Sequence, residues 1–282
     1  MKVVVIGANG HVGTEVVAAF QAVGDEVVPL THADVEISDK QNVLSKLVDY
    51  FDVLVNSTCI GTRDSDAYPE KAYLVNALGP KHLAEAAKRH NALFVHISTD
   101  QVFDGKKTAP YTETDAPGPI SIYGNTKLSG EYFSLYSGAK VQVLRTSALY
   151  GHTPTRNKKG GFNFAQLMMK LAREDGFVQA KDDERITATY TNSLAKQMVV
   201  LSRTEHQGLF HAVSSGTCTW YEWAEEVFRL TNTNVRLEAV KGGFDGLIRP
   251  KYLAMESARL TNLGLNVFKP WKEELSDYLK VI

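Results

Sequence analysis

Short β-branched runs alternate with longer stretches in which apolar residues recur at helical spacing, most clearly in the first half of the chain. Val3-Val4-Val5-Ile6 is uniformly apolar, the pattern of a strand covered on both faces. Val12, Val16, Val17, Phe20 and Val23 share one face of a helix over 12–23, and Gly24 closes it as a C-cap. The same reading gives strands at 26–30, 52–56, 92–98 and 141–145. Helices are expected over 42–50, over 70–90 with a kink at Pro80, and from 123 to 136. Strict alternation of strand and helix predicts an α/β fold, a Rossmann-type doubly wound parallel sheet with helices on both faces.

Beyond Gly151 the alternation breaks. The stretch 152–161 is rich in Thr, Lys, Asn and Gly and reads as a mobile loop. Helices at 162–173 and 220–230, short strands near 177–180 and 208–213, and a weakly patterned tail follow. Residues 1–150 are therefore expected to form a nucleotide-binding domain, joined by parts of 185–212. Residues 151–282 are expected to be mainly a smaller C-terminal α/β lobe over the carboxyl ends of the strands, where open α/β sheets bind ligands.

Composition narrows the function. The 282 residues are 44% hydrophobic and 22% charged, ordinary for a globular protein with a sizeable core. With 31 basic and 32 acidic side chains the net charge is -1, which argues against nucleic acid or a membrane surface held by bulk charge. Cys59 and Cys218 make no disulfide framework, and no His, Cys, Asp or Glu spacing suggests a metal. No apolar run approaches the ~20 residues of a membrane span. Met1 to Ile6 carries one Lys and runs into glycines without signal-peptide anatomy, so a cytoplasmic protein is expected.

Two segments carry chemistry. Gly7-Ala8-Asn9-Gly10-His11-Val12-Gly13 follows the first strand and opens the first helix. Its glycines allow a tight turn, close approach of a pyrophosphate and close helix–strand packing, while the helix start offers unpaired N–H groups. Gly7, Asn9, Gly10, His11, Val12 and Gly13 are thus the expected cofactor contacts. The ribose-reading acid usual ~20 residues further on is missing. The second strand ends Pro29-Leu30-Thr31-His32, with Asp25 and Glu26 at its wrong end. Thr31 and His32 suit a 2′-phosphate, so NADPH is expected and NADH is admitted.

Tyr123 and Lys127 are four apart and share one helix face. An ammonium beside a phenol eases its proton off, which suits general-acid work on a carbonyl oxygen, and Lys127 can also hold a cofactor ribose. The strand ending at Ser98-Thr99 aims a hydroxyl at the same crevice, completing a carbonyl-reduction set.

These residues resemble the extended short-chain dehydrogenase/reductases. Ile97-Ser98-Thr99-Asp100-Gln101-Val102-Phe103-Asp104-Gly105, Tyr111-Thr112-Glu113-Thr114-Asp115, Lys127-Leu128-Ser129-Gly130-Glu131, Arg145-Thr146-Ser147, Asn163-Phe164 and Arg249-Pro250 are similar to strings of the dTDP-4-dehydrorhamnose reductase family. The resemblance covers nearly the whole chain. It implies NADPH-linked reduction of the 4-keto group of a nucleotide-linked deoxysugar. Thr99 would orient the keto oxygen, Tyr123 protonate it, and Lys127 hold the nicotinamide ribose. Asp100, Gln101, Ala148, Asn163 and Arg249 would face the substrate. Gln101 stands where the family has Tyr, and Ala148 where it has Trp, which predicts a wider, more polar sugar pocket.

Other residues weigh less. Arg156, Lys158 and Lys159 suit a diphosphate but read first as a solvated loop. Cys59 reads as a packing residue, Trp220 and Trp223 as packing anchors, and His96 as a core or edge histidine. The expected partner is a nucleotide-sugar substrate, with a homodimer admitted. Two rivals remain at this stage: another nucleotide-sugar reductase or epimerase, and a non-catalytic NADP-binding regulatory subunit.

Overall fold

The computed structural model describes residues 1–154, 161–242, 246 and 249–282. The first half runs β1 (Lys2–Ile6), α1 (Gly13–Ala22), β2 (Glu26–Leu30), α2 (Lys40–Lys46), β3 (Val53–Asn56), α3 (Thr62–Ala67), α4 (Pro69–Tyr73), α5 (Gly79–Arg89), β4 (Leu93–Thr99), α6 (Ile122–Leu135) and β5 (Lys140–Thr146). The second runs β6 (Leu149–Tyr150), α7 (Phe164–Asp175), β7 (Phe177–Lys181), β8 (Arg185–Ile186), β9 (Thr189–Tyr190), α8 (Thr191–Leu201), β10 (Gly208–His211), β11 (Cys218–Thr219), α9 (Trp220–Leu230), β12 (Arg236–Val240), α10 (Ala258–Asn262) and α11 (Trp271–Leu279).

Six strands form one parallel sheet in the order β10-β5-β4-β3-β1-β2. The unbroken apolar run of β1 follows from this. Val3 and Val5 point to a core built with Val16 and Phe20 of α1 and Leu194 and Met198 of α8. Val4 and Ile6 point to the opposite core with Val43 of α2, Leu83 of α5 and Phe94 of β4. Period-two alternation thus places every residue of a central strand in one apolar layer or the other.

The long helix expected over 70–90 is three pieces. A π-helical turn over Leu74–Leu78 joins α4 to α5, and Pro80 sits in the first turn of α5. Proline lacks the N–H a continuous helix needs, and widening the preceding turn accommodates it where a kink was expected. The short α3 lay outside the sequence expectations, and the weakly patterned tail holds β12, α10 and α11.

The strand near 208 belongs to the large sheet, where β10 lies beside β5. Leu260 of α10 and Phe268 reach the same core as α1 and α8. A separate cluster of Tyr150, Met168, Val178, Trp223 and Tyr278 forms the core of the remaining segments, with β12 paired in parallel to β7. Val102, Phe103 and Tyr111 pack with Leu253 and Met255, tying the chain after β4 to that second part. Arg145 of β5 and Ser98 of β4 both bind the buried Glu131 of α6, Arg145 through two contacts of 2.9 and 2.7 Å. This buried, bidentate pair latches α6 across the sheet and fixes where its first turn falls.

Candidate active site at the carboxyl ends of the strands

The glycine loop leaves β1 with Gly7 at a φ of 78°, and the Gly10 N–H closes the turn on the Gly7 carbonyl at 2.9 Å. A Cβ on Gly13 would stand 2.1 Å from that carbonyl oxygen, so only glycine lets α1 start this close to the loop. Ser57, just after β3, donates to the carbonyls of Ile6 and Gly7 at 2.7 and 3.2 Å and braces the turn. No side chain caps the start of α1. A helix start offers N–H groups to a phosphate, and a Cβ on Gly10 would press to 3.1 Å from the Gly7 carbonyl oxygen. These features fit a dinucleotide. Asn9 is exposed, Val12 is buried, and His11 Nδ1 meets the Thr153 carbonyl, joining the loop to the chain after β6.

At the end of β2 the structure adds what the sequence reading lacked. Asp34 folds back so that one carboxylate oxygen accepts from both the N–H and the hydroxyl of Thr31 at 2.8 Å, and these bonds hold its carboxyl below the usual range. His32 pairs with Glu36 at 3.3 Å. Both residues expected to meet a 2′-phosphate therefore already face carboxylates. Asp34→Ala should free Thr31 and remove a repulsive charge. NADPH is then expected to bind ~3-fold or more tightly at low ionic strength, with the gain shrinking as salt rises. Parallel NADPH and NADH titrations check it, because NADH should gain little.

Thr99, the last residue of β4, donates its hydroxyl to Asp100 Oδ1 at 2.9 Å and accepts the Gln101 N–H at 3.2 Å. Tyr123 lies in the first turn of α6, whose N-cap is Ser121. A Cβ on Gly124 would lie 2.1 Å from the Gln101 carbonyl, so glycine after Tyr123 lets α6 close onto the turn that follows β4. The Tyr123 phenol lies beside Thr99 and Cys59, near enough for both to act on its proton. Burial, then the Cys59 and Asp100 charges, push the phenol well above its ordinary value. That direction is opposite to the one the Tyr–Lys spacing suggests: the site holds the acid in its protonated form. Lys127 is buried and donates to the Ile97 carbonyl at 2.6 Å.

Cys59, read as a packing residue, is exposed and stands at the phenol. Only the folding of the loop after β3 beside α6 brings it there.

Asp100 is expected at the substrate, but its carboxylate is buried. Oδ1 accepts from Thr99 and Oδ2 from Ser147 at 2.6 Å. Burial raises its pKa from an ordinary 3.8 to about 6 despite those bonds. A carboxyl that holds its proton more tightly when folded contributes stability below pH 3.8 and loses it as pH rises through about 6. The stability of Asp100→Asn relative to wild type should therefore improve by ~2 kcal/mol between pH 4 and pH 7. Urea unfolding at the two pH values measures it, and a constant difference would refute it.

Gln101 exchanges hydrogen bonds with Thr62 of α3 at 3.3 and 3.5 Å. Ala148 follows Ser147 with a φ of 37°, left-handed and strained for a non-glycine residue. Asn163 differs from its expected role. It is buried and caps α7 in a reciprocal box with Gln166, while its Nδ2 donates to the Gly151 carbonyl at 2.8 Å and the Tyr278 hydroxyl at 2.7 Å. Its amide is used up inside the protein, where the sequence reading expected a substrate contact. Arg249 is partly buried and precedes Pro250, which packs against Gly105 in the chain after β4. Arg156, Lys158 and Lys159 lie outside the described residues. Among the described residues no cluster of His, Cys, Asp and Glu could hold a metal, and no helix is long and apolar enough to cross a membrane.

Comparison with known proteins gives the family and the fold. The family model described as RmlD substrate binding domain matches residues 1–282. The spore coat polysaccharide biosynthesis protein SpsK of Bacillus subtilis (strain 168) is 33% identical, over 99% of this chain and 97% of its own. The crystal structure of a dTDP-4-dehydrorhamnose reductase from Clostridium acetobutylicum is similar at a TM-score of 0.93 and 32% identity, covering 100% of this chain and 99% of that one. The dTDP-4-dehydrorhamnose reductase of Bacillus anthracis, solved in complex with NADP, is similar at 0.91 and 26% identity, over 99% of both chains.

Proposed function

Because the chain belongs to the RmlD substrate-binding domain family, we propose that it is the NADPH-dependent oxidoreductase that reduces the 4-keto group of dTDP-4-dehydrorhamnose to give dTDP-rhamnose. The observation that carries the reading is the meeting of Thr99 with the protonated Tyr123 phenol at the carboxyl end of the sheet, one helical turn from Lys127.

The cofactor, when bound, supplies the hydride to the keto carbon. The residues do the rest. The 7–13 loop and the start of α1 would hold the pyrophosphate, and Thr31, just after β2, would face the adenosine side. Lys127 would hydrogen-bond the nicotinamide ribose. Tyr123 gives its phenolic proton to the keto oxygen as charge develops there, and burial ensures that it arrives with that proton at neutral pH. Thr99 fixes the direction of the oxygen, while the buried Asp100 and the Gln101 N–H hold the Thr99 hydroxyl in place. Gln101 and Ala148 border the sugar, and Arg249 takes the diphosphate. A charged, water-soluble substrate and cofactor are compatible with the cytoplasmic location expected from the sequence.

The test is NADPH oxidation with dTDP-4-dehydrorhamnose. One NADPH should disappear per sugar reduced, with dTDP-rhamnose identified by mass and NMR. A protein that binds NADPH yet turns over neither this sugar nor other dTDP-4-keto sugars would be the non-catalytic subunit instead.

A further inference from the structure

Behind Lys127 a row of buried polar side chains crosses the sheet. Asn56, the last residue of β3, and His96 of β4 are register partners, and both are almost wholly buried. Asn56 Oδ1 accepts the Thr58 backbone N–H at 3.1 Å and the Thr58 hydroxyl at 2.7 Å. A backbone N–H can only donate, so the oxygen of the amide is fixed on that side, and Nδ2 faces His96 Nδ1 at 3.2 Å. An amide nitrogen can only donate as well, so His96 Nδ1 is a bare acceptor. The imidazole is enclosed, with Phe94 stacked 6.0 Å away, and burial keeps it neutral. Its one proton is therefore on Nε2, and Nε2 lies 3.5 Å from Lys127 Nζ.

We propose that His96 is a positioning residue for Lys127: its Nε2–H, locked by Thr58 and Asn56, points at the lysine nitrogen and favours the neutral amine over the ammonium. An ammonium has only donors and meets another donor there. An amine still donates to the Ile97 carbonyl and accepts the imidazole N–H with its lone pair. The other groups facing Lys127 are Glu131 and Tyr123 of α6 and the Cys59 thiol from the loop after β3, and Glu131 is already paired with Arg145. The consequence rests on the reductase reading. After Tyr123 has protonated the sugar oxygen, a lysine that releases its proton easily can restore the phenol. The O–H bond re-forms on Tyr123 as an N–H bond breaks on the Lys127 ammonium, whose electron pair stays on Nζ to give the neutral amine, and hydronium from solvent then protonates that amine again.

Long-range 1H–15N correlation spectra of histidine-labelled protein, free of substrate and cofactor, read the tautomer directly. His96 is identified as the signal lost in His96→Phe. Between about pH 6 and pH 9, the range of ordinary histidine ionisation and above, His96 should keep a protonated Nε2 and a bare Nδ1. A protonated Nδ1, or a doubly protonated ring, overturns the proposal, and the wild-type spectrum settles this even if variants fold poorly. The second readout is the Lys127 side-chain carbon titration in lysine-labelled protein. Asn56→Ala frees the ring to turn its acceptor to Lys127, and His96→Phe removes the opposing donor. Both should move the midpoint upward by ~1 pH unit. An unchanged midpoint in both overturns the proposal. Neither readout needs turnover, so inactivity with the expected spectra would count against the reductase reading alone.

Discussion

Tyr123→Phe will leave the fold and NADPH affinity intact and lower kcat by ~10²–10⁴-fold, the usual worth of a positioned general acid. The substitution removes one oxygen from a ring whose place is set by other contacts. The Glu131–Arg145 pair and Gly124 seat α6, and Ser121 caps its start. Thr99 is not free to take the phenol's place, because it directs its hydroxyl proton into the Asp100 carboxylate. Steady-state kinetics with dTDP-4-dehydrorhamnose, with NADPH binding followed separately, measure the effect. Turnover within tenfold of wild type would show that the proton comes from elsewhere. Because the phenol is pushed well above its ordinary value, the wild-type rate should not fall through neutral pH from loss of this proton.

Gly13→Ala will abolish NADPH binding. The added methyl would lie 2.1 Å from the Gly7 carbonyl oxygen and 2.8 Å from both the Gly7 carbonyl carbon and Ser57 Oγ. Two of those three atoms are backbone, so relief requires α1 and the loop to separate. That opens the turn whose N–H groups are the cradle. Affinity should fall by at least ~100-fold, with a stability loss of ~1–3 kcal/mol from overpacking. Gly24→Ala is the control: nothing lies within 4 Å of its Cβ, although its φ of 84° still costs some stability. NADPH titration and thermal unfolding of both variants separate a lost site from a lost fold. Near-normal affinity in folded Gly13→Ala would remove the loop from the binding site.

The sheet was legible because each central strand is a short apolar run and each helix carries its own stripe, both local in the chain. β2 lies where the pattern places it, at Glu26–Leu30. Tyr123 and Lys127 were legible because one helix carries both. The misreadings have other causes: one is a tight local turn, and the rest are contacts between segments apart in the chain. Asp34 reaches Thr31 by a turn that strand periodicity does not encode. Cys59 meets Tyr123 only after α6 docks on the sheet. Asn163 carries a family string but is consumed by Gly151 and Tyr278, residues far from it in sequence. His96 does lie in the core, as expected, but its link to Asn56 exists only through strand register.

The return of the chain to its first sheet bears on how the protein is made. The edge strand beside β5 arrives only with Gly208–His211, and Leu260 and Phe268 complete the layer over α1 later still. A ribosome releasing the chain from its first residue exposes Val16, Phe20 and Leu144 long before their covers emerge. Such long-range pairings make folding slow and leave apolar surface open to aggregation in the interval. A nascent chain stalled before residue 208 should therefore need chaperone protection, even though it already carries the glycine loop, Thr99, Tyr123 and Lys127.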